Sequence, residues 1–331
     1  MKNKLLVVGC GSIGERHLRC FQRTGRAELV ACEVNSTVLQ KVRDQYKVSG
    51  FTSLDAALAA SKYDAAVVCT PADSHIAVTK RLLQHGTHVL IEKPLSTSAN
   101  EVGSLRQAIA ASGKFCAVGY THHFMPGLRE MRAVLRSGKL GKPLQAIVTA
   151  GQHFPTFRPA YRTIYYTRHE TGGGAIQDSL THFVNAIEWL IGPTTRVYVE
   201  AAHQFLDGVT VEDTVCLTAR MGDVLASYSI NQFQPPNEAL YQVNCENGSL
   251  KYEFHEQRWA EWPRGAEAWQ YHPAPVRERD DIYVAQANAF LDGLAGQPTD
   301  LATVDEAVQS LKVSLANLAS WRTGKPVDIQ K

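Results

Sequence analysis

Apolar and polar positions follow two rhythms along this chain, and the change falls near residue 120. Before it, short and wholly apolar runs are separated by amphipathic stretches. Leu5-Leu6-Val7-Val8, Leu29-Val30-Ala31-Cys32, residues 65–70, His88-Val89-Leu90-Ile91 and residues 115–119 read as strands buried on both faces. Between them, residues 74–85 and 99–111 have helical spacing and stop at Gly86 and at Ser112-Gly113. Strand and helix in alternation, with no alternation inside the strands, predict a doubly wound parallel sheet covered on both faces.

After residue 120 the pattern lengthens and begins to alternate. A helix over 126–137 precedes strands at 144–151, 195–202, 211–220, 223–232, 241–246 and 249–254. Met221-Gly222-Asp223 and Glu246-Asn247-Gly248-Ser249 read as hairpin turns. A helix over 174–190 interrupts this region, and helices over 282–295 and 303–321 are expected to return toward the first part. The class is α/β: a domain with the doubly wound parallel sheet over 1–120, then an α/β domain with an open, mostly antiparallel sheet over 121–331. No internal repeat or low-complexity tract is present.

Composition narrows the function. With 331 residues, 44 % hydrophobic and 20 % charged, the chain has the make-up of a soluble two-domain protein. A net charge of +2 gives no electrostatic case for nucleic acid or an anionic membrane surface. No apolar stretch approaches the roughly 18 residues of a membrane span, and no signal-peptide pattern opens the chain. The seven cysteines never fall as C-x-x-C, which favours reduced thiols in a cytoplasmic protein over a zinc site. The sequons at Asn35 and Asn247 are then chemically idle.

The first apolar run passes directly into Gly9-Cys10-Gly11-Ser12-Ile13-Gly14, a G-x-G-x-x-G turn between strand and helix. Gly9 permits the tight turn, Gly11 a close approach of backbone to pyrophosphate, and Gly14 close packing of helix on strand. The helix start, at Ser12 and Ile13, offers free N–H groups and a positive dipole end to phosphates. Glu33 ends the second strand, 19 residues beyond Gly14. A carboxylate there accepts hydrogen bonds from a ribose and repels a 2′-phosphate, which favours NAD over NADP.

Lys93 follows the strand at 88–91, at the carboxyl edge of the sheet where ligands bind in such folds. A lysine there can hydrogen-bond a substrate hydroxyl or take its proton. In Gly172-Gly173-Gly174 the glycines read as a close backbone approach to a ligand at a helix start. Asp178 and His182 are four residues apart on that helix and share a face, as an oriented general base requires. Residues 154–169 carry Arg158, Arg162 and Tyr165, residue types that suit sugar faces, carboxylates or phosphates. A solvated loop or a contact between subunits is the alternative reading. His122 and His123 are adjacent and so diverge, which disfavours a metal site.

With Gly9–Gly14, Thr70-Pro71 followed by His75, Glu92-Lys93-Pro94, Ser137-Gly138-Lys139-Leu140-Gly141, residues 173–182 and Gly324-Lys325-Pro326-Val327, the chain resembles the Gfo/Idh/MocA oxidoreductases over essentially its whole length. The resemblance implies a Rossmann domain followed by an open-sheet domain, and NAD(P)-linked oxidation or reduction of a sugar, cyclitol or related polyol. It implies Lys93, Asp178 and His182 as the catalytic set. It implies Thr70, Pro71, His75 and Glu92 beside the nicotinamide, and a homodimer or homotetramer joined through the open sheet. Two departures bear on the substrate pocket: Thr121-His122-His123-Phe124 replaces an Asn-Arg-Arg-Phe-like stretch, and Asn185 replaces an acid. His122 is then a candidate substrate contact. The same residues also fit a glycosidase or lyase that retains its NAD, and the family includes NAD-sensing regulators without catalysis.

Overall fold

The computed structural model describes residues 2–275 and 278–330. In chain order it begins β1 (Asn3–Val8), α1 (Ser12–Thr24), β2 (Ala27–Cys32), α2 (Ser36–Tyr46), β3 (Ser49–Phe51), α3 (Leu54–Ala60), β4 (Ala65–Val68), α4 (His75–Gln84), β5 (His88–Ile91), α5 (Val102–Ser112) and β6 (Cys116–Val118). It continues α6 (Pro126–Ser137), β7 (Pro143–Gly151), α7 (Phe154–Phe157), α8 (Thr181–Ile191), β8 (Arg196–Ala202), β9 (Thr214–Met221), β10 (Val224–Asn231), β11 (Glu238–Cys245) and β12 (Gly248–Glu253). Then follow β13 (Arg258–Pro263), β14 (Gln270–Pro273), α9 (Asp281–Leu294), β15 (Ala302–Thr303), α10 (Val304–Thr323) and β16 (Val327–Asp328). No helix among the described residues is long and apolar enough to cross a membrane. Two units emerge: residues up to Phe124 with a later stretch ending at Val308, and the remainder from Met125 onward.

The first unit holds a sheet ordered β15-β6-β5-β4-β1-β2-β3, with β1 to β6 parallel and β15 antiparallel to β6. Its central strands carry unbroken apolar runs because helices cover both faces: Leu5, Leu6, Val7, Val67, Val68, Leu90 and Ile91 have no exposed surface. The strand order reverses direction between β1 and β4, the topological switch point at which such sheets bind ligands.

The long separation in sequence conceals one member of this core. α9 packs on α1 and places Phe290 edge-on to Phe21 and stacked with Phe115, at ring separations of 6.2 and 6.0 Å. Gly293 lets that helix approach, since a Cβ there would lie 2.4 Å from the Phe115 ring. At the rim of the same helix pair, Arg16 and Arg19 meet Asp280, Arg23 meets Asp281 and Arg26 meets Asp292. The Arg23 and Arg26 pairs are exposed and contribute little to stability, whereas Asp280 is largely covered by its two arginines.

The second unit holds a sheet ordered β14-β13-β12-β11-β7-β10-β9-β8-β16. Only the β7–β10 pair is parallel, because those strands are not joined by a hairpin. Strict alternation of buried and exposed residues in β9 and β10 shows one covered face and one open face. Strands β13 and β14 extend the sheet beyond the last strand the sequence pattern predicts, their alternation being blurred by Trp259, Trp262 and charged neighbours. The helix expected over 174–190 is divided: residues Ile176–Leu180 form a π turn, and α8 follows.

Replacing Phe290 by Ala removes an aromatic ring with no exposed surface. It is expected to cost about 3–5 kcal/mol in the unfolding free energy measured with urea, more than any single Arg–Asp pair on the same helices.

Candidate functional site

In the first unit the site is built around the turn from β1 into α1. Gly9 has φ +87°, and a Cβ there would lie 2.7 Å from the Cys69 carbonyl oxygen. A Cβ on Gly14 would lie 1.8 Å from the Gly9 carbonyl oxygen, so α1 can begin this close to β1 only with glycine. Gly11 differs: an added Cβ meets nothing within 4 Å. The open room over Gly11 lies at the N-terminus of a 13-residue helix whose cap carries no side-chain hydrogen bond. The first-turn N–H groups at Ser12, Ile13 and Gly14 have no partner within the helix and face that room, an arrangement that fits a phosphate-bearing cofactor.

Glu33 stands at the end of β2 with its geometry fixed. One carboxylate oxygen accepts the Cys10 N–H at 2.7 Å and the other the Asn35 N–H at 2.9 Å. The side chain thus joins the glycine turn to the start of α2, where Asn35 caps the helix.

The turns after β4 and β5 are stitched together by His75. Its ring nitrogens lie 2.8 Å from the Thr70 carbonyl oxygen and 2.9 Å from that of Pro94. Burial lowers the His75 pKa, while the two carbonyls and the Glu92 charge oppose that shift. Ser74 Oγ donates to Thr70 Oγ1 and to the Pro71 carbonyl, which closes the turn. Glu92 and Lys93 follow β5 directly, and the Lys93–Pro94 peptide is cis. Next to β6, His122 sits in a short 3-10 turn, where burial, with His123 and Lys93 nearby, drives its pKa down to about 3. It is therefore a neutral imidazole at physiological pH.

In the second unit the carboxylate of Asp178 is buried, and each of its oxygens receives a donor. Arg158 donates to one at 2.5 Å and Tyr165 O–H to the other at 2.6 Å, while Arg158 also donates to the Tyr165 oxygen at 3.1 Å. Three of the sequence-predicted residues therefore form one closed cluster. His182 lies in the first turn of α8, half-buried, directly after the π turn that carries Asp178. Arg162 is not part of this cluster. It donates to the Asp207 carbonyl and the Tyr161 oxygen, both at 3.0 Å, and so straps the loop over the aromatic core of Phe154, Tyr161 and Tyr166.

The glycine triplet has a different purpose from the one its sequence implies. A Cβ on Gly173 would lie 2.1 Å from the Tyr166 carbonyl oxygen, and one on Gly174 2.5 Å from the Glu212 carboxylate. The close approach is to the protein's own groups rather than to a ligand. Glu212, wholly buried, accepts the Ile176 N–H at 2.9 Å and pairs with His169 at 2.5 Å, while its carbonyl takes the Ala175 N–H at 2.9 Å. The sequence reading passed over it, although an acid next to Asp213 at the head of an alternating strand is itself a signal. Asn185 is also buried, donating to Ser310 at 3.1 Å.

Comparison with known proteins agrees with this architecture. The family model for the oxidoreductase family with an NAD-binding Rossmann fold matches residues 3–120, and that for the GFO/IDH/MocA C-terminal domain matches 128–251. Inositol 2-dehydrogenase of Pseudomonas savastanoi pv. phaseolicola is 29 % identical over 196 residues, 58 % of this chain and 55 % of that enzyme. The chain thus spans about half the length of the inositol 2-dehydrogenases it matches. The rhizopine catabolism protein MocA of Rhizobium meliloti is 24 % identical over 316 residues, 93 % of this chain and 94 % of that protein. Among solved structures, levoglucosan dehydrogenase in complex with NADH and levoglucosan has the same fold, with a TM-score of 0.91, 14 % identity and full coverage of both chains. The chain belongs to the Gfo/Idh/MocA family of oxidoreductases.

Proposed function

We propose that this protein is an NAD-dependent dehydrogenase that moves a hydride between the carbinol carbon of a sugar, cyclitol or related polyol and nicotinamide. The observation that carries the reading is Lys93, placed directly after β5 on the carboxyl edge of the sheet whose β1 edge opens at Gly11. The names of the inositol dehydrogenase relatives and of the levoglucosan dehydrogenase structure support the substrate class. The choice of NAD over NADP is supported by Glu33, an acidic side chain at the end of β2 followed by Val34-Asn35-Ser36-Thr37 with no arginine.

Bound nicotinamide supplies the hydride acceptor. The chain's own residues must bind the alcohol, hold it still and take its hydroxyl proton as the carbonyl forms. Lys93 and His182 are the two proton-transfer groups. Asp178 holds Arg158 and Tyr165 in one fixed arrangement; the Arg158 guanidinium has N–H groups beyond those it gives to Asp178 and Tyr165, donors suited to sugar hydroxyls. His122, neutral beside Lys93, is a further substrate contact able to donate or accept. Arg162 is not included, since its guanidinium is directed at the Asp207 carbonyl and the Tyr161 oxygen rather than at the Asp178 cluster. The open face of the second sheet, where Tyr198 and Leu225 are exposed, takes a second copy of the chain.

NADH fluorescence against a panel of sugars, inositols and uronic acids, repeated with NADP, is expected to find turnover with NAD and at least one polyol. Lys93→Ala and His182→Ala should each lower kcat by about 10²- to 10⁴-fold with little change in NAD affinity. Near-normal turnover in either variant removes that residue from the mechanism. Light scattering of the purified protein should give a dimer or tetramer that Leu225→Arg weakens; a monomer at micromolar concentration overturns the assignment of the open face.

His122 also sets an acid limit. Its folded-state pKa lies below its unfolded value, so the unfolded chain takes up the proton first, and stability falls as pH drops from about 6.5 toward 3. Urea midpoints measured across that interval should fall less steeply in His122→Gln than in the parent protein.

A further inference from the structure

One buried pair in the first unit joins Glu92, implied above beside the nicotinamide, to His17, a residue given no role so far. His17, three residues beyond Gly14 on α1, reaches Glu92 at the end of β5, with its Nε2 2.6 Å from one carboxylate oxygen. His17 is 1 % and Glu92 5 % exposed. The other carboxylate oxygen accepts the Lys93 N–H at 3.0 Å. Gly119, after β6, closes the compartment: a Cβ there would lie 3.0 Å from the same oxygen that His17 meets. Among the described residues, the buried Nδ1 of His17 has no hydrogen-bond partner.

That last observation fixes the charge. A doubly protonated His17 would strand a buried N–H at Nδ1, whereas a neutral ring donating from Nε2 leaves only a bare lone pair. The pair therefore carries one negative charge, on Glu92. Burial alone would push the Glu92 carboxyl up, but the His17 hydrogen bond and the nearby Lys93 charge hold it below the ordinary range. Two apolar side chains would join helix to strand with no buried charge to compensate. The charge has a use at its location, one residue from Lys93.

We propose that His17 and Glu92 are a positioning pair for Lys93, fixing its backbone and setting a buried negative charge beside its ammonium group. The titratable groups around the pair are His17 on α1, Cys69 after β4, His75 on α4, Lys93 itself and His122 after β6. His17 is donor and lock. Without its N–H, the isolated buried carboxyl takes a proton and the charge beside Lys93 disappears. The kinetic part of this inference rests on Lys93 being a proton-transfer group, whereas the electrostatic part does not.

The test is competitive labelling of lysines with acetic anhydride at pH 8 on the full-length protein, with and without NAD, read by peptide mass spectrometry. Glu92→Gln keeps the shape and an acceptor for the Lys93 N–H but removes the charge. It should raise Lys93 labelling relative to the other lysines by about 3-fold or more, as expected for a loss of half a pKa unit. His17→Leu should give the same change, and His17→Gln, which keeps a donor, should restore labelling to the parent level. In parallel, Glu92→Gln should lower kcat about 10- to 100-fold, with KM for NAD changed by less than about 3-fold. Unchanged Lys93 labelling in both Glu92→Gln and His17→Leu overturns the proposal, as does a loss of activity carried by KM alone. If the parent protein oxidises no polyol, the labelling still decides the pairing, and that failure falls on the proposed function instead.

Discussion

The distance between the Gly9 carbonyl and the place where a Gly14 side chain would stand governs the first unit. With 1.8 Å between them, only a residue without a Cβ lets α1 start immediately after β1. From that start the rest of the helix follows at fixed rotations. Its first-turn N–H groups open over Gly11, His17 comes to face Glu92, and Arg16, Arg19 and Arg23 fall on the side where α9 lies. Cofactor cradle, buried pair and helix packing are therefore three readings of one close contact.

Much of this was legible because burial leaves a strong mark on composition. β1, β2, β4, β5 and β6 are covered on both faces over most of their length, so each carries an unbroken apolar run, and glycines and helix stops punctuate them. β9 and β10 were equally plain, since one open face enforces alternation. What was hidden depends on contacts between residues far apart in sequence. Nothing local to Phe290 says that it fills a space between Phe21 and Phe115. Nothing local to Arg162 distinguishes it from Arg158, although one straps a loop and the other pairs with Asp178.

The glycine triplet shows where local reasoning misleads. Three glycines before a helix announce that something comes close, but not what. Here it is a Tyr166 carbonyl and the Glu212 carboxylate, and the acid accepts the Ile176 N–H at the start of a π turn that carries Asp178 and leads into α8 with His182. A helix-wheel spacing of four thus arrives through a turn that is not α-helical. Buried acids recur through the molecule, at Glu92, Asp178, Glu212 and Asp213, and each is matched with nearby N–H or O–H donors. The strand ends and turns around the candidate site are held by such anchors rather than by apolar packing alone.

Asp213 shows what such an anchor permits. Its buried carboxylate accepts the backbone N–H groups of Gln204, Phe205 and Leu206 at 3.0, 2.8 and 2.8 Å. The shape of that loop is dictated from outside, by one distant side chain acting on the main chain, so the loop's own side chains at 204 and 205 are released from specifying it. Phe205 is half exposed. The surface there can vary in chemistry over evolutionary time while the backbone beneath it keeps its course, which separates the inheritance of form from the choice of what the form displays.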